Sequence, residues 1–184
     1  MIEVRWHGRG GQGVVTAANI LGAAALCEGR YAQSFPFFGA ERRGAPVAAF
    51  TRIDTRPIRL RSQIYRPDWV VLLDDTLLEL LNPVQGLHDG GILVVNSRRP
   101  AAALPRAARL IAFDATALAR EWLGRPVVNT VMLGALAGAG LVGIEELAHA
   151  IAEQFAGETG ERNVAAARAA CALVKEVGDD VRTG

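Results

Sequence analysis

The first thirty residues follow the pattern of a strand, a glycine-rich turn and a helix. Residues 2–6 alternate between apolar and charged side chains, as in a half-buried strand. An apolar stretch of helical length runs from Val14 to about Glu28 and ends at Gly29. Between them lies a turn in which four of six residues are glycine, Gly8-Arg9-Gly10-Gly11-Gln12-Gly13. The pattern therefore predicts a helix that begins directly at this turn.

Further along, three continuous apolar runs have the composition of strands that are buried on both faces of a parallel sheet. They occupy residues 69–73, 91–95 and 109–113, and a polar residue follows each of them. Helical stretches are predicted at residues 76–81, 115–123, 130–139, 144–155 and 164–177. This order predicts an α/β fold: an open, doubly wound, mostly parallel sheet of Rossmann-like type, with helices on both faces.

The region between the first helix and these runs predicts a short antiparallel extension of the sheet. One strand is expected at residues 31–34, before an aromatic stretch that breaks regular structure. Two further strands are expected at residues 46–53 and 57–61, around a turn at 54–56. The last of these alternates apolar residues with arginine.

Length and composition limit the classes of protein that need to be considered. At 184 residues and 19.5 kDa, the chain fits one domain that spans residues 1–184. Cys27 and Cys171 stand alone and the three histidines lie far apart, so neither a metal site nor an iron-sulfur cluster is expected. No cationic segment followed by an apolar stretch begins the chain, and a cytoplasmic location is expected.

The stretch at residues 127–144 is the only one that could suggest a membrane span. It contains Asn129, Thr130 and four glycines, which favour a buried helix of small residues packed closely against a neighbour. No membrane association is therefore predicted.

Charge is distributed unevenly along the chain. Residues 1–66 hold ten arginines against four acids, a net +6, whereas residues 67–184 hold ten lysines and arginines against fifteen acids, a net −5. Nineteen of the twenty cationic residues are arginine, which forms bidentate pairs with carboxylate and phosphate. The N-terminal third is therefore expected to face anions. A net charge of only +1 argues against a broad nucleic-acid surface.

The glycine turn has the composition of an anion-binding site. Without Cβ atoms the backbone can approach a phosphate closely, and the unpaired N–H groups of a helix's first turn carry partial positive charge. Candidate ligand-binding residues are those of the turn: Gly8, Arg9, Gly10, Gly11, Gln12 and Gly13. A second interpretation is that the glycines only make a tight connection between strand and helix.

Two familiar nucleotide motifs match the turn only in part. The spacing of Gly8, Gly10 and Gly13 fits the dinucleotide fingerprint, but no acid for the ribose hydroxyls follows the second predicted strand. A P-loop would need lysine and then serine or threonine where Val14 and Val15 stand. A stand-alone NAD- or flavin-dependent oxidoreductase and a noncatalytic nucleotide-sensing module stay open as alternatives.

A second unusual segment combines three phenylalanines with two arginines at residues 35–46. Exposing so much aromatic surface is unfavourable unless a partner covers it, so the segment favours an interface. The alternative is a loop folded back onto its own domain. Arg42 and Arg43 are further candidate anion ligands, and Arg43 is the stronger of the two.

Together these segments resemble the gamma subunit of the 2-oxoacid:ferredoxin oxidoreductases, of the pyruvate and 2-ketoisovalerate type. The resemblance rests on residues 7–13 and 38–47 and continues through Arg52-Ile53, Pro67-Asp68 and the Asn129-Thr130 helix, so it covers nearly the whole chain. Ala45 departs from the family pattern, in which a second glycine often follows Arg-Gly. That departure concerns only the flexibility of the loop.

The resemblance implies a multisubunit complex that oxidatively decarboxylates a 2-oxoacid to an acyl-coenzyme A and carbon dioxide. Thiamine diphosphate is expected on alpha and beta partner subunits, and [4Fe-4S] clusters on a ferredoxin-like delta subunit or domain, with ferredoxin as the acceptor. The chain has no Gly-Asp-Gly motif with a later asparagine for magnesium diphosphate. By resemblance it supports assembly and the coenzyme A side of the site, holds no catalytic residue and is inactive alone.

Overall fold

A computed structural model describes residues 1–37 and 44–177 of the chain. Its strands are β1 (Ile2–Arg9), β2 (Tyr31–Phe37), β3 (Pro46–Asp54), β4 (Trp69–Leu72), β5 (Ile92–Asn96) and β6 (Arg109–Phe113). Its α-helices are α1 (Val14–Cys27), α2 (Ala115–Leu123), α3 (Asn129–Gly138), α4 (Ile144–Gln154) and α5 (Gly157–Val177). Two 3-10 helices cover Asp75–Glu79 and Ala101–Ala103.

The six strands form one sheet in the order β2-β3-β1-β4-β5-β6. β1, β4, β5 and β6 are mutually parallel, while β3 pairs antiparallel with both β1 and β2. The predicted α/β class with a mostly parallel open sheet and an antiparallel extension is confirmed. After β1 the chain builds one side of the sheet, and from β4 onward it builds the other. The carboxyl ends of β1 and β4 therefore lie at the point where strand order reverses.

One face of the sheet packs against all five α-helices in a single hydrophobic core. Trp6 shows how the central strand β1 is held in this core. Its side chain is fully buried and donates a hydrogen bond from Nε1 to the Thr51 hydroxyl of β3, at 3.1 Å. Buried side chains from five strands take part: Val4, Trp6, Ala49, Ile53, Val71, Val94 and Ile111.

The opposite face of β4, β5 and β6 is covered differently from the expectation. Leu72, Val95 and Ala112 form a second, smaller cluster with Leu77 and Leu104, which lie in and beside the two 3-10 helices. Short 3-10 helices thus replace the α-helices expected on this face. The segment predicted as a helix at residues 76–81 is one of them. Prolines at 83, 100 and 105 limit helix length in both connections.

Two further local predictions need correction. The strand expected at residues 57–61 does not form, because Arg59, Leu60 and Arg61 are all exposed and no described strand lies beside them. Alternation of apolar and charged residues does not make a strand when neither face of the segment is buried. The last helix begins at Gly157 rather than at residue 164, so it is a full two turns longer at its start.

The predicted close packing of the small-residue helix is present. Residues 129–137 of α3 are all buried, and α3 lies directly against α5. A Cβ atom built on Gly134 would overlap the backbone of Ala167, and one on Gly138 would lie 2.7 Å from the Cys171 carbonyl oxygen. Within residues 1–37 and 44–177, no helix is long and apolar enough to cross a membrane.

We expect Gly134→Ala to destabilise the chain although alanine is the better helix former. The added methyl group forces α3 and α5 apart, and overpacking of this kind costs about 2 kcal/mol of unfolding free energy. Gly90→Ala is the control, because its methyl group would come no closer than 3.7 Å to another atom. Urea unfolding followed by circular dichroism measures both variants. Equal stability of the two would contradict the packing argument.

Candidate functional site

The glycine turn lies where strand order reverses, between the end of β1 and the start of α1. Gly11 and Gly13 have φ angles of 93° and 75°, in the left-handed region that favours glycine. Gly8 has a different role, because it is buried and a Cβ there would lie 2.5 Å from Val14 Cγ2 and 3.3 Å from Leu73 Cβ. Gly8 thus allows close packing of strand and helix, while Gly11 and Gly13 shape the turn.

A network of hydrogen bonds fixes the turn to the end of β4. The Asp74 carboxylate accepts from Arg9 Nε at 3.1 Å and from Gln12 Nε2 at 3.0 Å. The Oε1 atom of Gln12 accepts from the Arg9 backbone N–H at 2.7 Å. The Arg9 guanidinium also donates to the Gly44 carbonyl and to the Thr76 hydroxyl. Both polar atoms of Gln12 and all three guanidinium nitrogens of Arg9 are therefore engaged within the chain.

The electrostatics of Asp74 follow from this network. Burial alone would raise the pKa of its carboxyl group, since its side chain is 17% exposed. Hydrogen bonds from Thr76 and Gln12, together with the charge of Arg9, outweigh burial and hold the pKa below its ordinary value. Asp74 is thus a carboxylate at neutral pH and balances Arg9.

Several backbone N–H donors lie in the turn and in the first turn of α1 without a bonded acceptor among the described residues. Within the described part of the chain, no acceptor is bonded to the N–H groups of Gly11, Gly13, Val14, Val15 and Thr16. The first intrahelical bond is donated by Ala17 to the Gly13 carbonyl, and no side chain caps the helix. Five free donors with the positive end of a helix dipole form a strong anion-binding arrangement.

A cleft of about 330 Å³ adjoins this helix start. It lies among the first turns of α1, α3 and α5, and its lining combines apolar side chains with polar and cationic ones. The lining residues are Thr16, Leu123, Arg125, Val127, Asn129, Phe155, Glu158, Thr159, Arg162 and Asn163. Three helix N-termini meet at this cleft, and the positive ends of their dipoles favour an anion there, beside the Glu158–Arg162 pair.

Asn129 connects the cleft to the glycine turn. Its side chain is buried, its Oδ1 atom accepts from the Thr130 N–H, and its Nδ2 atom makes no hydrogen bond within the described residues. A Cβ on Gly13 would lie 2.6 Å from that Nδ2 atom. The exposed guanidinium of Arg125 likewise has no ionic partner there, whereas Arg162 pairs with Glu158.

The structure locates the predicted site residues only in part. Gly8 to Gly13 form one turn, as expected. Arg42 and Arg43 lie outside the described residues. Gly44 and Ala45, which follow them in the sequence, contact the turn. The Gly10 N–H donates to the Ala45 carbonyl at 2.9 Å, and the Gly44 N–H donates to the Gly10 carbonyl at 3.3 Å.

Sequence reasoning missed Asp74, Thr76, Asn129 and Arg125. A signal existed for Asp74, which follows a predicted parallel strand, at the edge of the sheet where β1 also ends. Arg125 gave no signal, because its position beside the turn depends on how α2, α3 and α5 pack.

His7 precedes the turn but does not face an anion. Burial and the nearby charge of Arg5 lower its pKa to about 4, against an opposing hydrogen bond to the Pro83 carbonyl. His7 is therefore neutral at physiological pH. Among the described residues, no group of three or more His, Cys, Asp or Glu side chains could hold a metal ion.

Fold and site together define a class: an α/β subunit with a glycine turn at a helix start, at the point where strand order reverses. The family model of the pyruvate ferredoxin/flavodoxin oxidoreductases matches residues 3–173. The gamma subunit common to the pyruvate and ketoisovalerate oxidoreductases of Pyrococcus furiosus is 55% identical over 176 residues, which cover 92% of this chain and 95% of that protein.

Solved structures agree with this comparison. Pyruvate oxidoreductase subunit PORC of Thermotoga maritima has a TM-score of 0.82 at 37% identity, with 93% of this chain and 95% of that one covered. A 2-oxoglutarate:ferredoxin oxidoreductase of Magnetococcus marinus, solved with 2-oxoglutarate, coenzyme A and succinyl-CoA, contains the same fold. Its TM-score is 0.76 at 18% identity, over 97% of this chain and 32% of that longer one.

The chain belongs to the pyruvate ferredoxin/flavodoxin oxidoreductase family. Within it, the chain is a gamma-type subunit of a 2-oxoacid:ferredoxin oxidoreductase, which confirms the resemblance. A stand-alone NAD- or flavin-dependent enzyme and a nucleotide-sensing module are not favoured. The topology gives a physical reason against the dinucleotide alternative, because β3 lies between β1 and β2 and separates the turn from the strand that would carry the ribose-binding acid.

We expect Asp74→Asn to lower the free energy of unfolding by about 2 kcal/mol at pH 7, because the variant loses its charged hydrogen bonds to Arg9 and Gln12. The folded-state pKa lies below the ordinary 3.8, so the carboxylate stabilises the fold above about pH 4. That contribution is lost as the pH falls through the folded-state pKa. The unfolding free energies of the wild type and Asp74→Asn should then converge. Urea unfolding at several pH values measures this.

Asp89→Asn is the matched control for Asp74→Asn, because Asp89 is exposed and forms no ion pair within the described residues. It should leave the unfolding free energy at pH 7 close to that of the wild type. A pH-independent difference between Asp74→Asn and the wild type would contradict the role given to the charge.

We expect His7 to make the chain less stable in mild acid. The unfolded chain binds a proton near pH 6.5 and the folded chain only near pH 4, so stability present above pH 6.5 is lost as the pH falls between these values. The loss is about 3 kcal/mol. His7→Gln should remove this decline, whereas His149→Gln, at an exposed histidine, should retain it. Equal pH profiles for the two variants would show that His7 titrates normally.

Proposed function

We propose that this chain serves in a complex that oxidatively decarboxylates a 2-oxoacid and releases an acyl-coenzyme A and carbon dioxide. Alpha and beta subunits supply thiamine diphosphate, a ferredoxin-like delta subunit or domain supplies [4Fe-4S] clusters, and ferredoxin accepts the electrons. The complex is cytoplasmic, and residues 1–184 form one domain of it. The extended match to gamma subunits supports this assignment, and two cysteines are too few to ligate a [4Fe-4S] cluster.

The contribution of this chain is to bind coenzyme A at the glycine turn. The observation that carries this proposal is the set of five free N–H donors, from Gly11 to Thr16, at the start of α1. Coenzyme A carries phosphate groups, and donors fixed in position bind a phosphate without having to be ordered first. Coenzyme A supplies the thiol that accepts the acyl group.

Space around Gly11 suits the approach of such a ligand. A Cβ atom on Gly11 would meet no other atom within 4 Å, so the backbone is open to solvent there. The cleft beside Thr16 and Asn129 is large enough for part of an extended ligand, and Arg125 adds a cation without an internal partner. The turn holds a phosphate, and the cleft orients the groups next to it.

Arginines divide into two roles at this site. Arg9 acts as a positioning residue, because Asp74, Thr76 and Gly44 already engage its guanidinium. Arg42 and Arg43 directly precede Gly44 in the sequence, and Gly44 and Ala45 pair with Gly10 of the turn. We assign the charged contact with a phosphate, or with an adjoining subunit, to Arg43.

Gly11→Ala should weaken coenzyme A binding by the assembled complex about tenfold, the equivalent of ~1.4 kcal/mol. The methyl group projects into the space through which a phosphate must approach. Gly29→Ala is a closely matched control: Gly29 lies after the other end of α1, has a φ of 75° and also has open space at its Cβ position. Both variants bear similar backbone strain. Isothermal titration of the complex with coenzyme A measures the difference.

Arg43→Ala tests the charged contact in the same complex through coenzyme A affinity and acyl transfer. Both should fall, and added salt should reduce the difference from the wild type. Unchanged values for both would remove this role from Arg43. If Gly11→Ala and Gly29→Ala lose affinity equally, strain rather than ligand contact is responsible, and the glycine turn is only a connection.

A further inference from the structure

The connection between β3 and β4 forms an exposed strip, here called the basic segment, at residues 55–66. It contains no helix or strand, and none of its backbone N–H groups donates to another backbone group in the described chain. The Ile64 side chain is buried, and few other contacts hold the segment in place. The buried Arg52 side chain donates to the Gln63 carbonyl at 3.4 Å, and the Tyr65 carbonyl lies against Gly86. The segment therefore keeps its path beside the sheet without forming a ladder.

The basic segment carries four arginines and no acid: Arg56, Arg59, Arg61 and Arg66. All four are exposed, and no guanidinium among them has a hydrogen bond or ion pair within the described residues. The nearest acid in sequence, Asp54, is already engaged with the N-terminal amino group at 3.4 Å and with the N–H groups of Thr55 and Arg56. The segment therefore retains its full charge of +4.

Other arginines of the chain behave differently. Arg9, Arg30, Arg52, Arg98, Arg99, Arg162 and Arg168 each pair with a carboxylate of the chain itself. Acidic residues are thus available to balance arginine, yet among the described residues none pairs with a guanidinium group of the basic segment. Four like charges within twelve residues repel one another, and carboxylates brought by another molecule would relieve this repulsion.

Apolar side chains interrupt the charges. Leu60 is 48% exposed and Tyr65 is 70% exposed. On β2, Tyr31 and Phe37 are also 47% and 46% exposed, and their positions alternate with those that face α1. This half of the sheet has no helix over it on that side in the described chain, because all five α-helices share the core on the other face.

We propose that the basic segment is a docking surface for an acidic face of another subunit of the complex. The proposal rests on the function proposed above. Carboxylates of that subunit pair with Arg59 and Arg61, while Leu60 and Tyr65 pack against apolar groups between them. Arginine and tyrosine are enriched at protein interfaces because each combines polar contacts with large apolar area.

Charge and apolar exposure together favour a permanent protein partner. A phosphate ligand would be held by convergent donors in a concave site, whereas the basic segment is extended and carries exposed leucine and tyrosine. A transient acidic protein, such as an electron acceptor, binds through a small and mainly charged contact. Large exposed aromatic and aliphatic groups are typical of obligate interfaces, in which they stay covered.

The test uses the complex reconstituted from the full chain and its partner subunits. Arg59→Glu/Arg61→Glu reverses two charges on the basic segment. Arg106→Glu/Arg120→Glu makes the same change at two exposed arginines outside it, which have no ionic partner within the described residues. Sedimentation and native mass spectrometry measure how much of the chain stays in the complex as salt is raised.

We expect the segment variant to bind its partners at least about tenfold more weakly than the wild type, and the control to bind as the wild type does. Amide hydrogen exchange supplies an independent measurement on unsubstituted protein. The exposed residues 59–62 should exchange rapidly in the isolated chain and at least about tenfold more slowly in the complex, because docking covers their N–H groups, which have no backbone acceptor among the described residues.

Three results would overturn the proposal. Equal retention of both variants at every salt concentration would do so, as would identical exchange of residues 59–62 in chain and complex. Unchanged assembly with a raised KM for the acceptor protein would assign the surface to the acceptor instead. If the wild-type chain fails to join thiamine-bearing subunits, the proposed function fails first and this proposal with it.

Discussion

The geometry of the glycine turn depends on one carboxylate, that of Asp74. It lies at the end of β4 and binds Arg9 and Gln12, which flank the turn at the end of β1. The Gln12 side chain is held at both polar atoms, by Asp74 and by the Arg9 N–H, and these bonds stabilise the conformation in which the Gly11 N–H has no partner among the described residues. The free N–H groups at the start of α1 therefore stay available. A charged group at the end of β4 thus helps to set the direction of the backbone N–H groups to which we assign ligand binding.

Close packing of small residues determines where the helices stand relative to this turn. Gly8 lets α1 begin directly against β1 and β4, and Gly13 lies against the Asn129 side chain at the start of α3. Gly134 in turn lets α3 lie against the backbone of α5. These contacts bring the first turns of three helices to one cleft. A larger side chain at any of these glycines would move a helix start and weaken the combined field.

Patterns in the sequence predicted the structural elements that interactions between nearby residues determine. The strand, turn and helix at residues 2–28 and the buried strands were predictable, because periodicity and glycine placement act within a few residues. The site was predictable only as a backbone feature. Arg9 has the composition of an anion ligand, yet Asp74, far away in sequence, engages it. The exposed Arg59 to Arg61 stretch resembled a strand because alternation alone does not reveal whether a neighbouring strand exists. The sequence did not predict the 3-10 helices for a similar reason. Which segment covers the second face of the sheet depends on tertiary packing.

The structure shows where the excess positive charge of the N-terminal third lies. The first 66 residues have an excess of six positive charges. Arg9, Arg30 and Arg52 are neutralised within the fold, and Arg5 donates to the carbonyls of Pro83 and Gln85. Paired arginines thus hold elements together, whereas the other four described arginines of this region, Arg56, Arg59, Arg61 and Arg66, are all in the basic segment and have no partner for their guanidinium groups. Arginines that lie close together repel one another. Surface charge without a specific role would therefore be spread over the molecule. Four unpaired charges close together on one irregular, partly apolar strip suit the interface that we propose for it.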